Sequence, residues 1–134
     1  MSRYFADTHF FIAVVNVEET EHDSAMAYAA RTDIQYLTTF AVLFELADAL
    51  SSRRRRAGAI EVVEEFLSMP NAQVEPVTPD LFERAMRLYK ERPDKDWSLT
   101  DCLSFVVMQE HGITEALTGD KHFEQAGFTA LLRG

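Results

Sequence analysis

Four carboxylates stand where secondary elements begin or where a charge has no local partner. Asp7 follows the strand-like run Arg3-Tyr4-Phe5-Ala6 and precedes an apolar helical segment, and Asp120 repeats that arrangement after Glu115 to Thr118. Both suit a helix cap, a role Asp fills well. Both also fall at the carboxyl edge of a parallel sheet, where α/β proteins bind their ligands. Asp101 lies three residues after Ser98, the spacing of a capping box, on a first helical turn whose free N–H groups also favour an anionic or metal-bound site. Glu45 lies inside Phe40-Ala41-Val42-Leu43-Phe44-Glu45-Leu46-Ala47, with no Lys or Arg three or four residues away to pair with it. A partly buried carboxylate without a partner calls for a functional reason. If the four converge, mutual repulsion raises their pKa values until some protonate, unless a cation is present. Oxygen ligands without a His or Cys cluster select a hard ion, Mg2+ or Mn2+, over Zn2+. Such a site supports phosphoryl transfer or phosphodiester hydrolysis, through activated water and charge neutralisation by one ion or by two about 4 Å apart.

The elements that must position these acids alternate along the chain. Arg3 to Ala6 reads as a strand, His9 to Asn16 and Asp23 to Arg31 as helices, and Gln35 to Thr39 as a second strand. Val42, Leu43, Leu46 and Leu50 recur at helical spacing up to about Ser52. Ala57 to Ser68 is a helix with Ile60, Val63 and Leu67 on its expected apolar face and Glu61, Glu64 and Glu65 on a solvated one. Gln73 to Val77 alternates like a strand. Thr78-Pro79 then starts a helix running to Arg92, with Thr as cap and Pro in the first turn. Ser98 opens the next helix and His111-Gly112 stops it. Glu115 to Thr118 is strand-like, Asp120 to Ala126 a brief helix, and Phe128 to Leu132 a last strand. Strands and helices in alternation give an α/β fold with a parallel sheet between helical layers.

The 134 residues suit one domain, spanning 1–134. Ten Phe, four Tyr and one Trp supply core material and exclude intrinsic disorder. The single Cys excludes an internal disulfide or a multi-Cys zinc site, and a cytoplasmic location is the default. No stretch is long and apolar enough for a membrane span. The net charge of −9 argues against generic nucleic-acid binding, which relies on Lys and Arg. Four metal-ligating carboxylates would account for nearly half of that charge, which weakens the objection without removing it.

At these residues the sequence resembles the PIN-domain ribonucleases, most closely the VapC-like toxins of bacterial toxin–antitoxin pairs. The match runs through Phe5-Ala6-Asp7-Thr8, then Thr38-Thr39 with Phe44-Glu45-Leu46, then Ser98-Leu99-Thr100-Asp101-Cys102, and Leu117-Thr118-Gly119-Asp120-Lys121-His122-Phe123, in the family's order. The resemblance implies a three-layer α/β/α sandwich with a central parallel sheet, an acidic quartet of Asp7, Glu45, Asp101 and Asp120, and Mg2+- or Mn2+-dependent cleavage of single-stranded or looped RNA. It also implies a cognate antitoxin that inserts a segment into the site, and a homodimer. Thr118 matches a hydroxyl position near the family's site that could orient Asp120 or a water. Asp96, five residues before Asp101, reads as a loop residue or a supplementary ligand.

Other readings remain beside this one. A Mg-dependent phosphatase or phosphotransfer domain uses similar acids, but Thr8-His9 follows Asp7 in place of a second Asp two positions on. A non-catalytic PIN-like interaction module would keep the acids as caps. Arg53, Arg54, Arg55 and Arg56 are either a solvated turn offsetting a helix dipole or an RNA phosphate contact. Arg84, Arg87 and Lys90 read as an exposed face. Cys102 reads as a small core residue, because no base adjoins it. His122 reads as a surface residue within reach of substrate, and Phe10-Phe11 as core.

Overall fold

The computed structural model describes residues 1–133. The elements in chain order are β1 (Ser2–Ala6), α1 (Thr8–Val15), α2 (His22–Ala29), β2 (Ile34–Thr39), α3 (Phe40–Ala49), α4 (Arg56–Ser68), β3 (Ala72–Glu75), α5 (Pro79–Glu91), α6 (Leu99–His111), β4 (Glu115–Leu117), α7 (Lys121–Gln125) and β5 (Thr129–Ala130). The strands form one parallel sheet in the order β3-β2-β1-β4-β5. With its helical layers it is an α/β/α sandwich, as the alternation predicts. No helix among the described residues is long and apolar enough to cross a membrane.

That strand order places β1 at the centre, and consecutive buried residues Tyr4, Phe5 and Ala6 fit a strand covered on both faces. The chain lays down β2 and β3 on one side of β1, then crosses to β4 on the other. The order of strand addition therefore reverses between β1 and β4, and the crevice at such a switch point lies just past Ala6 and Leu117. The Asp7 N–H donates to the Leu117 carbonyl at 3.3 Å, tying the two strand ends together at that crevice.

Helix α1 packs against α2, α3 and α4, while α5 packs on α6 and α6 on α7. Two aromatic clusters fill the core. Phe10, Phe11, Tyr36 and Phe66 form one, and Phe5, Trp97, Phe105 and Phe123 form the other. Such ring pairs contribute about 0.5–1.5 kcal/mol each beyond their buried area. Helix α6 is buried continuously from Asp101 to Met108, so packing on all sides fixes the position of Asp101.

The apolar face expected for α4 is displaced by one residue. Ala59 and Phe66 are buried, Val63 is half-buried, and Ile60 and Leu67 are each 51% exposed. The cause is Gly58, where an added Cβ would lie 2.8 Å from Val15 of α1. Close approach of the two helices at the glycine turns the Ala59 and Phe66 edge inward. Glu61, Glu64 and Glu65 are exposed as expected. Arg84, read as part of a free basic face, instead bridges helices: its guanidinium lies 3.0 Å from Glu110 of α6 and 3.7 Å from Asp80.

Candidate active site

Asp7 occupies the N-cap position of α1, yet its side chain makes no capping hydrogen bond. Its Oδ2 accepts instead from the Thr118 hydroxyl at 2.8 Å, across 111 residues. The carboxyl is nearly inaccessible, at 4% exposure. Burial, with Asp101 and Glu45 as further negative neighbours, pushes its pKa up to about 7 against the opposing hydrogen bonds from Thr118 and the Thr8 backbone. The capping explanation therefore fails at Asp7, and the repulsion expected of converging acids is present.

The other three acids adjoin Asp7 in series from separate elements, Glu45 and Asp101 as its neighbours and Asp120 as a neighbour of Asp101. Asp101 completes the expected capping box: the Asp101 N–H donates to Ser98 Oγ at 3.0 Å, and the Ser98 N–H donates to Asp101 Oδ2 at 3.1 Å. Its pKa is nevertheless raised, mainly by burial and also by Asp120, so one residue both caps α6 and carries charge in the crevice. Asp120 caps α7 through Oδ1, which accepts from the His122 N–H at 2.9 Å. Glu45 is half-buried, and its Oε1 accepts a short hydrogen bond from the Thr8 hydroxyl. In each acid the side-chain hydrogen bonds fall on one oxygen: Oδ2 of Asp7, Oε1 of Glu45, Oδ2 of Asp101 and Oδ1 of Asp120. Among the described residues no buried side-chain oxygen or nitrogen lacks a partner, so an oxygen without one keeps some accessible surface.

Two sequence expectations change here. His122, read as a surface residue, belongs to the acidic cluster: Nδ1 lies 3.1 Å from Asp101 Oδ2 and 3.4 Å from Asp120 Oδ1. The short helix α7 folds back against α6, and that packing turns the ring inward. Thr118 acts first on Asp7, while its Oγ1 accepts from the Asp120 N–H at 3.0 Å, so one hydroxyl links two of the acids. Asp101, Asp120 and His122 offer ligand atoms within 4.8 Å of one another. Asp7 and Glu45 stand outside that tight group, with Asp7 in electrostatic reach of both Glu45 and Asp101; Asp96 is exposed in the loop before α6 and belongs to neither set.

The arginine run lies elsewhere. Arg53, Arg54 and Arg55 form the turn between α3 and α4, and Arg54 and Arg55 line a shallow pocket with Val15, Asn16, Val17 and Glu18 at the C-terminal end of α1. Asp7 is at the opposite end of α1, a helix about 12 Å long. Arg56 closes α3 by donating to the Ser51 carbonyl at 3.1 and 2.8 Å. Cys102 is buried beside Asp101, and burial pushes its thiol up to about 11, which suits a core residue.

Sequence reasoning passed over Thr8 and His9. Thr8 holds Glu45, and His9 Nδ1 accepts from the Gly119 N–H at 2.8 Å. These contacts join residues 37 and 110 positions apart, beyond any local spacing rule. The available signal was the polar pair Thr8-His9 at the buried start of an otherwise apolar helix.

The donor set fits a hard divalent cation: mainly carboxylate oxygens, one of them in a carboxyl too buried to keep its charge unaided. The chain is 32% identical over 127 residues to the 23S rRNA-specific endonuclease VapC20 of Mycobacterium tuberculosis, covering 95% of this chain and 96% of that protein. The crystal structure of M. tuberculosis VapC20, described as a sarcin–ricin loop cleaving toxin, superimposes with a TM-score of 0.85 at 31% identity, over 96% of this chain and 97% of that one. VapBC2 from Rickettsia felis, bound to a DNA fragment from its promoter, shares the fold at a TM-score of 0.68 and 14% identity, over 96% of each chain. The PIN domain profile matches residues 4–129, and with that match the acids at the β1/β4 crevice have their context: the chain belongs to the PIN domain family.

Proposed function

We propose that the protein is a metal-dependent endoribonuclease that hydrolyses phosphodiester bonds in looped RNA, and that it serves as the toxin of a toxin–antitoxin pair. The observation that carries this reading is the meeting of Asp7, Glu45, Asp101 and Asp120 at the sheet's switch point, with the Asp7 carboxyl raised to about 7 by burial and by its acidic neighbours. The similarity to VapC20 makes the sarcin–ricin loop of 23S rRNA the first substrate to test. A cognate antitoxin is the expected partner, and the lone, buried Cys102 suits a reducing cytoplasm.

Asp7, Glu45, Asp101 and Asp120 would hold Mg2+ or Mn2+, with His122 beside them; when bound, such an ion activates water and neutralises charge on the reacting phosphate. The chain's own contribution is positional. Thr118 orients Asp7, Thr8 orients Glu45, and Ser98 with His122 orients Asp101. Each acid is thereby held by one oxygen before substrate arrives, so little reorganisation is needed at the moment of reaction. Mixing wild type, Asp7→Asn and Asp101→Asn with a sarcin–ricin loop RNA, in Mg2+, Mn2+ or EDTA, tests the reading. Cleavage should require metal and fall by orders of magnitude in both variants; cleavage at the wild-type rate by both variants would sink the reading.

Dimer formation is part of the same proposal. Phe40 and Phe44 are 41% and 72% exposed one turn apart on α3. With Val77 and Thr100 they line an open groove of about 640 Å³ beside Glu45. Exposed aromatics grouped in this way mark an interaction surface, and a second copy is the occupant proposed. Light scattering of wild type against Phe44→Glu tests it, with a dimer expected only for wild type.

A further inference from the structure

Three consecutive residues at the start of α1 each reach a different part of the acidic site. Asp7 accepts from Thr118, Thr8 donates to Glu45, and His9 accepts from the backbone N–H of Gly119 at 2.8 Å. Gly119 joins Thr118, whose hydroxyl links Asp7 and Asp120, to Asp120 itself. The contact is also close sterically: a Cβ at residue 119 would lie 2.6 Å from His9 Cε1, 3.0 Å from His9 Nδ1 and 3.4 Å from Glu21 Oε1. A side chain at position 119 would have to displace the ring, whose other nitrogen lies 3.4 Å from Glu21 Oε2.

The direction of these hydrogen bonds fixes the ring's protonation. A peptide N–H can only donate, so His9 Nδ1 is the acceptor and carries no proton. The neutral ring then bears its hydrogen on Nε2, which lies 3.4 Å from Glu21 Oε2. Glu21 immediately precedes α2. His9, Glu19 and Glu21 offer ligand atoms within 4.8 Å of one another, but His9 has one nitrogen engaged with Gly119 and the other protonated toward Glu21, so it has no lone pair for an ion.

We propose that His9 is a positioning residue of the metal site, holding the Thr118-Gly119-Asp120 turn in register with Asp7, with the Gly119 N–H setting its tautomer and Glu21 lying beside its Nε2. The proposal rests on the metal-dependent nuclease reading. Without the Gly119 contact, the turn carrying both Thr118 and Asp120 is held to the start of α1 only through the Thr118–Asp7 hydrogen bond. Outer partners of this kind change metal affinity by about 10–100-fold.

The test compares wild type, His9→Phe, His9→Asn and Gly119→Ala in the full chain. Mn2+ affinity is measured by calorimetry, and the His9 ring and Gly119 amide are followed by 15N NMR. The wild-type ring should show the neutral tautomer with hydrogen on Nε2, and the Gly119 amide resonance should move in His9→Phe. Mn2+ affinity should fall about 10–100-fold in His9→Phe and Gly119→Ala. It should recover in His9→Asn, whose Oδ1 can replace Nδ1 as the acceptor. A hydrogen on Nδ1 in wild type, or wild-type Mn2+ affinity in a folded His9→Phe, would overturn the positioning role alone. Absence of Mn2+ binding by wild type itself would overturn the nuclease reading and this one with it.

Discussion

Replacing Asp7 with Asn should stabilise the metal-free protein, by an amount that grows with pH. In the unfolded chain the carboxyl titrates near its ordinary 3.8, whereas in the folded chain it is pushed up to about 7, chiefly by burial. Between those values the unfolded state has lost a proton that the folded state keeps, so stability falls as pH rises through the window and the penalty is complete above about 7. A rise of about three pKa units corresponds to a ceiling of roughly 4 kcal/mol at neutral pH. Asn carries no charge and can still accept from Thr118, so Asp7→Asn escapes that penalty. For a chain of this size each kcal/mol moves Tm by about 3–5 °C. The expected result is a variant close to wild type at pH 4, and more stable by several degrees up to roughly 20 °C at pH 7.5. Thermal unfolding of both proteins in EDTA across pH 4–8 measures the difference, and subtracting one from the other removes every group they share. A pH-independent difference, or one that shrinks as pH rises, would refute the claim that Asp7 is a charged group out of place without a cation. Added Mg2+ or Mn2+ should narrow the gap by stabilising wild type alone, since the ion binds only the folded site.

Other expectations follow from single contacts. Ser98→Ala removes the reciprocal cap of α6 and should cost about 1 kcal/mol in urea unfolding, with Asp101 still in place. Phe123→Ala empties a fully buried position between Phe5 and Phe105 and should cost about 3–5 kcal/mol by the same assay. Cys102, buried and with its thiol raised to about 11, should not react with a thiol reagent at pH 8 until the protein unfolds; rapid labelling of the native protein would contradict its place in the core. With a net charge of −9, RNA binding in EDTA should be weak and should strengthen when metal is added. Tight, salt-sensitive binding in EDTA would contradict that, and its loss on replacing Arg53, Arg54, Arg55 and Arg56 would assign the binding to phosphate contacts of that run.

Local patterns carried most of the architecture. The alternation of elements, the Thr78-Pro79 start and the Ser98/Asp101 box are short-range features, and the fold reproduces each within a few residues. The four acids were legible for the same reason. Each stands at an element boundary or in an apolar helix, so type and position alone set it apart. What depended on packing was not legible. The inward edge of α4 depends on how closely Gly58 lets that helix approach Val15, a property of two helices rather than of one period.

The sequence by itself thus determined which carboxylates are present and that Asp7 and Asp120 fall at the carboxyl edge of the sheet, because each follows a strand and opens a helix. Only the tertiary structure decided how they act on one another. Burial at the β1/β4 switch point raised Asp7, and Thr118, Thr8, His9 and His122 became part of the site through contacts spanning 21 to 111 residues. Desolvation and hydrogen-bond partnership are properties of what surrounds a group in space, and those surroundings exist only once the sheet has closed around the crevice.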